Sequence, residues 1–222
     1  MNRDERRTRP AGEEPSYWPN EDILAPRDPE AGGTWIGVRR DGVWACLLNG
    51  YNDRDRVWPA TVAAQTRGRL VPLILASDSP QAVLPDIDLS ATMGFRVWMS
   101  VDDRVLEYSW DGTSLKTRSL DAESSLMTTS SSVRQDEVTR LRQGVFAEWT
   151  RQGGELHTNG IPTFHLDPLG LDREDAVLMA RDFSHTKSCT QIIVEPASIT
   201  MKHWPLETMT TETTVGVAFP SG

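Results

Sequence analysis

Directly behind the first Met stand an amide, a guanidinium and a carboxylate: Asn2, Arg3 and Asp4, in the stretch MNRDERRTRP. Asp4 has the chemistry to hold an amine or ammonium by a charge-assisted hydrogen bond. Arg3 can neutralise Asp4, or bind a substrate carboxylate or an oxyanion. The plain alternative is a solvated, charged chain end. Asn49, in LLNGY at the end of an apolar run, is the candidate oxyanion-hole donor. A side-chain amide preset toward a developing negative oxygen contributes about 3 kcal/mol to transition-state stabilisation. Its structural alternative is a strand-end turn former ahead of Gly50. Trp35, behind Gly32, Gly33 and Thr34, is either a core residue or a ligand contact. The glycines there suit a close backbone approach. Arg67 and Gly68 fall at an expected helix start, where free backbone N–H groups favour anions.

The other reactive side chains give less. Cys46 sits among apolar residues and reads as an inert buried thiol. Cys189 and His185 belong to one expected strand, where four positions separate side chains by ~13 Å. That is too far for a direct proton transfer, so the pair is rejected as a dyad. The histidines at 157, 165, 185 and 203 form no metal-ligand spacing, and His165 reads as a structural loop residue. No serine elbow, phosphate loop or nucleotide fingerprint occurs.

The elements that must position these groups follow from pattern. Residues 10–32, rich in Pro, Gly and charge, predict a long ordered loop weighted by Tyr17, Trp18, Ile23 and Leu24. Asp41-Gly42 between Trp35–Val38 and Val43–Leu48 predicts a hairpin. Those runs are apolar on both faces, as in a sheet covered on both sides. Residues 59–90 predict helices, with Pro72 demanding a kink or a later start. Residues 95–120 predict a meander turning at Asp102-Asp103 and Asp111-Gly112, and residues 124–132 a short strand. A helix follows, capped by Ser131 or Ser132, with Asp136 and Glu137 at its positive end. Val138, Leu141, Val145 and Trp149 give it one apolar stripe, and Gly153-Gly154 stop it. From residue 174 two or three antiparallel strands are expected, with TTVGVAF a last one. One domain spanning 1–222 is expected.

Composition narrows the class. The net charge is −9; the first ten residues carry four Arg and two acids, so they are +2 and the remainder −11. That argues against a nucleic-acid partner, which requires a basic face. No apolar run reaches the ~20 residues of a membrane span, and the start lacks a signal-peptide core. The two Cys lie 143 positions apart and give neither a disulfide framework nor a metal-ligand pattern. A cytoplasmic protein acting on a small molecule, with no cofactor and no metal, is the expectation; the oligomeric state is left open.

NRDE with its Arg/Pro stretch, then RDPEAGGTWIGV, ACLLNGY and TRGRLV, resembles the NRDE family, also described as transport and Golgi organization 2. TSSSV and VLMARDFSHTKSCTQIIV resemble its later blocks. The resemblance implies a cysteine-type N-terminal nucleophile hydrolase fold, α+β, a four-layer αββα sandwich of two mainly antiparallel sheets. In that pattern a Cys exposed by removal of Met is the nucleophile and its α-amine the base. An α-amine pKa of about 8 lets it accept a proton at neutral pH. The resemblance gives Asn2, Arg3 and Asp4 to the strand beside that nucleophile. Here the Cys and its strand are missing ahead of NRDE, and Asn2 carries no nucleophile. Two explanations stay open: a start further upstream, or a shortened, non-catalytic member. The corresponding functions are C–N (amide) hydrolysis and non-catalytic binding or trafficking of a small molecule, with haem a candidate ligand implied by relatives.

Overall fold

The computed structural model describes residues 1–51, 66–121, 125–154, 163–206 and 213–218. Among the described residues the fold is α+β, with two antiparallel sheets and three α-helices. The chain groups into two compact units, residues 1–15 with 127–222, and residues 16–126. No helix among the described residues is long and apolar enough to cross a membrane.

The first unit carries a four-stranded sheet in the order β1 (Asn2–Arg6), β9 (Ser184–Glu195), β10 (Ser198–Pro205), β11 (Thr213–Ala218). The opening charged cluster is therefore a strand and not a solvated tail. Its backbone is paired with β9 from Asn2↔Cys189 to Arg6↔Ser184. The expected last strand, TTVGVAF, is β11. Residues 174–183 are turns with a single bridge, Ala180↔His185, where the sequence suggested a strand. They bind the sheet edge irregularly, through Arg181 N to Ser184 O and Thr186 N to Met179 O.

The long helix α3 (Gln135–Arg151) also lies in this unit. Asp136 and Glu137 occupy its first turn, and Gly153 ends it at φ 83°. The expected serine cap does not form. The residue ahead of the helix is Arg134, in the left-handed region, and no side chain caps it. Ser131 Oγ instead donates to Val133 O, while Gln135 Oε1 accepts from Ser131 N. The stripe is also shifted. Val138 and Arg142 are the buried positions, while Leu141 is 37% exposed. Residues 125–132 form no strand; Thr129 and Ser131 present their hydroxyls to buried arginines.

The second unit is built on a seven-stranded sheet whose order is that of the sequence. The strands are β2 (Glu13–Trp18), β3 (Ile23–Arg27), β4 (Ile36–Arg39), β5 (Trp44–Asn49), β6 (Phe95–Val101), β7 (Arg104–Trp110) and β8 (Leu115–Leu120). The two strands β2 and β3 replace the loop expected over residues 10–32. Their Pro15 and Pro26 hid them, since proline marks loops as well as strand edges. The β4–β5 hairpin turns at Gly42 with φ 89°, and Asp102 and Asp103 both take positive φ between β6 and β7. Both turns were legible from the need for positive φ in tight hairpins.

Leu70–Leu75 forms α1, preceded by a short 3-10 helix at Arg67–Arg69. This is the later start that Pro72 required, because its missing N–H falls in the first turn. Pro80–Asp86 forms α2 with Pro80 at its head. Residues 76–79 and 87–90 of the expected helical stretch are turns and irregular backbone, and residues 59–65 lie outside the described residues. Val71, Ile74 and Leu75 of α1 and Leu84 of α2 join Ile23, Ala45, Val97, Phe95 and Met99 in one buried apolar core. At ~25 cal/mol per Å², burial of such side chains is the main force holding helices to sheet.

Candidate functional site

Strand alternation divides the opening triplet. In β1 successive side chains point to opposite faces, so Asn2 and Asp4 share one face and Arg3 takes the other with Glu5. Arg3 is buried and its Nη2 lies 4.0 Å from Glu5 Oε2. A β-bulge between Arg3 and Asp4 resets the register, pairing Arg3 with Ser188 and Asp4 with Thr186. Bulges re-aim side chains in this way beside functional sites.

Asp4 is therefore set directly opposite a hydroxyl. Thr186 Oγ1 donates to Asp4 Oδ1 at 2.6 Å while accepting the Met179 N–H at 2.9 Å. Burial pushes the Asp4 carboxyl above its ordinary range. The Thr186 hydrogen bond and the charges of Arg142, Arg181 and His185 oppose that rise. The two arginines facing Asp4 thus come from α3 and from the turn ahead of β9.

Arg142, 3% exposed, is held almost wholly by backbone. Nε donates to Asp175 O at 2.8 Å, Nη2 to Ala176 O at 2.7 Å, and Nη1 to Thr129 Oγ1 at 2.8 Å and Ser130 O at 3.2 Å. Burial lowers its pKa, and the Asp4 charge works against that. Arg181 donates from Nε to Glu174 O at 2.9 Å and from Nη2 to Ser131 Oγ at 3.0 Å. Arg134 clamps Asp175 through both carboxylate oxygens, at 2.7 and 2.9 Å. Two buried guanidiniums fixed on carbonyls and hydroxyls give Asp4 a permanent positive field, which supports its ionised form.

Asn2 ties two loops to the sheet. Its Nδ2 donates to Val177 O at 3.0 Å and His165 O at 3.2 Å, and its Oδ1 meets His165 Nδ1 at 2.9 Å. Burial lowers the His165 pKa to about 3, so the ring is neutral and donates Nδ1–H to the amide. His165 is the structural loop residue that the sequence suggested. Asn2 here has a positioning geometry, with its amide used in full on the protein itself.

In the second unit Asn49 ends β5 opposite Phe95, and its Nδ2 donates to Tyr51 Oη at 3.3 Å. Gly50 N and Arg67 Nη1 both donate to Gly94 O, each at 2.8 Å. Arg67 is thereby brought beside the Asn49-Gly50 strand end. Gly68 accepts the Thr34 N–H at 2.9 Å, and a Cβ on Gly33 would lie 2.3 Å from Gly68 O. Gly33 is the close backbone approach that the glycine pair suggested. Trp35 is buried, and its carbonyl accepts the Leu47 N–H at 2.8 Å. Asn49, Arg67, Gly68 and Trp35 thus form one neighbourhood, and Asn2 and Asp4 another.

Neither thiol is poised to react. Burial pushes Cys46 up to about 11 and also raises Cys189. His185 and Cys189 both lie on β9, four positions apart. His203, 1% exposed, is bonded at Nδ1 to Thr190 Oγ1 at 2.9 Å, and burial lowers its pKa to about 4. With His165 on Asn2 and His203 on Thr190, these two rings are committed to structure and do not fit an axial haem ligand. His157 lies outside the described residues.

Arg142, Arg181 and Thr186 were missed by the sequence reading. One signal existed: Arg142 stands at helical spacing between Val138 and Val145, on the face that must be buried. An arginine there requires a buried set of acceptors.

No curated protein matches the chain. The sequence model of the family described as Transport and Golgi organisation 2 matches residues 1–153, more than half of the chain's 222 residues. It covers NRDE, GGTW, LLNGY and RGRLV, the segments that supply Asn2, Asp4 and the Asn49 neighbourhood. The chain belongs to the Transport and Golgi organisation 2 family.

Proposed function

We propose that this family member is a small-molecule amide (C–N) hydrolase of the N-terminal-nucleophile kind. It would work as one domain of the N-terminal-nucleophile α+β class. The nucleophile would be a cysteine carried on a strand ahead of β1, since residues 1–222 offer only two suppressed thiols. The observation that carries this reading is Asp4: a carboxylate fixed by Thr186 and backed by Arg142 and Arg181. That is the equipment needed to orient an α-amine. The amine, with its pKa near ~8, takes the thiol proton as the sulfur attacks the amide carbon. It then passes the proton to the leaving amine, and water releases the acyl group from sulfur. Asn49 would stabilise the tetrahedral oxyanion, contributing about 3 kcal/mol. Arg67, Gly68 and Trp35 would contact the substrate. The reaction calls for no cofactor or metal, and a cytoplasmic setting suits a free thiol.

The test is intact mass and thiol labelling of natively expressed protein. A third cysteine at the N-terminus, labelling far faster than Cys46 or Cys189, is the expected result. If only two slow thiols are found, this chain is no such hydrolase. A second reading, a non-catalytic small-molecule binder, then takes its place. It is favoured by the full engagement of Asn2 in structural bonds and by the suppression of both thiols.

A further inference from the structure

Gly144 stands in the middle of α3, where glycine weakens a helix relative to alanine. Nothing among the described residues accounts for it. A Cβ built there meets no atom within 4 Å, and the residue is exposed. Gly144 lies on the floor of a shallow, open groove of about 360 Å³, lined by Glu137, Arg140, Leu141, Val145 and Leu171. A glycine with free space above it suits a close approach from outside.

The residues around it are charged in a mirror pattern. Glu137 lies seven positions before Gly144 and Arg151 seven after; Arg140 lies four before and Glu148 four after. At 3.6 residues per turn, positions four and seven away fall on the same face as Gly144. All four charged side chains are exposed. When two such helices cross antiparallel at Gly144, every acid meets a base: Glu137 meets Arg151 of the other copy, and Arg140 meets Glu148. Leu141 then faces Ala147, a small residue three positions beyond the glycine. The helix dipoles oppose one another, which is also favourable.

We propose that this face of α3 binds a second copy of the chain, antiparallel and about a two-fold axis through Gly144. Charge complementarity fixes the occupant, because the face is complementary to itself and a two-fold interface pairs the same patch on both subunits. Within one copy Arg151 Nη2 holds Glu148 at 2.6 Å and Arg134 Nη1 holds Glu137 at 3.1 Å. These are surface pairs of small worth, exchanged at little cost for pairs across the axis. Arg134 keeps its bidentate hold on Asp175 when Glu137 turns to the partner. Arg140 makes no ion pair among the described residues, and the second copy supplies one.

Sedimentation equilibrium on the full chain tests this. Wild type is expected to be a dimer at low salt, weakening as salt rises. Glu137→Arg or Arg151→Glu alone sets like charges opposite each other twice, and is expected to weaken the dimer roughly tenfold or more. The double variant restores the pairs with their signs exchanged and recovers most of the affinity. Gly144→Leu closes the crossing point and abolishes the dimer. The space above Gly144 is open, so its melting temperature is expected to hold or rise, which separates lost assembly from lost folding. A wild-type chain monomeric at on the order of 100 µM overturns the proposal. So does a dimer indifferent to Gly144→Leu, or charge reversals that the double variant fails to rescue.

Discussion

Replacing Arg142 with Met keeps most of the side chain's length and removes its guanidinium. Four hydrogen bonds go with it, to Asp175 O, Ala176 O, Ser130 O and Thr129 Oγ1. The methionine stem preserves the apolar packing of the arginine stem, so the cost comes from stranded polar atoms. An unsatisfied buried acceptor costs ~1–3 kcal/mol, although part of that is recovered by relaxation and entering water. Asp4 also loses one of the two arginine charges that lower its pKa. Together these place the destabilisation at about 3–5 kcal/mol, the range for breaking a buried charge arrangement. Set against a total stability of ~5–15 kcal/mol, that is a large fraction. The assay is urea unfolding at neutral pH, followed by far-ultraviolet circular dichroism and by the fluorescence of the eight tryptophans. Arg104→Met is the control. That side chain is exposed at the head of β7, and its loss is expected to stay within ~0.5 kcal/mol. The Asp4 carboxyl should titrate at higher pH in the Arg142 variant than in wild type, read by carbon-13 NMR. A loss below about 1 kcal/mol, with an unmoved Asp4 titration, would refute the reasoning. It would mean that water satisfies those carbonyls and that Asp4 does not feel the arginine.

Gly33→Ala drives a methyl to 2.3 Å from the Gly68 carbonyl oxygen, a backbone atom tied to Thr34. The expected loss is about 1–3 kcal/mol in urea unfolding, and an unchanged midpoint would contradict the close approach. His203 supplies a pH dependence with a definite sign. Its pKa falls from 6.5 to about 4 in the folded protein, so the unfolded chain binds the proton more tightly. Its contribution is full above pH 6.5 and is lost as pH falls toward about 4, up to roughly 3 kcal/mol. His203→Gln is expected to flatten the stability profile across that window, measured by urea midpoints at stepped pH. A variant profile parallel to wild type would show that His203 does not titrate there.

Much of this fold is local, and local signals carried it. Asp41-Gly42 and Asp102-Asp103 mark hairpins because tight turns need positive φ. Gly153 ends α3 for the same reason, and Pro72 dictated where α1 begins. The family was legible from ordered short blocks. Patterns failed where a residue's use depends on a partner distant in sequence. β2 and β3 looked like loop because their prolines and charges fit either role. Ser131 looked like a cap, but is drawn to Val133 and Arg181. Leu141 looked buried by its spacing, while Arg142 took the inward position because acceptors await it at residues 129, 130, 175 and 176.

The sequence by itself determined the hairpin turns, most of the strands, and the chemistry concentrated in Asn2, Arg3 and Asp4. Those depend on neighbours a few positions away, where φ preferences and side-chain periodicity act directly. Tertiary structure decided what each of the three does. Pairing β1 with a strand more than 180 positions later, through one bulge, set Asp4 against Thr186 and sent Arg3 to the opposite face. A carboxylate's protonation is governed by the charges and donors within a few ångströms, and only folding brings Arg142 and Arg181 to that distance.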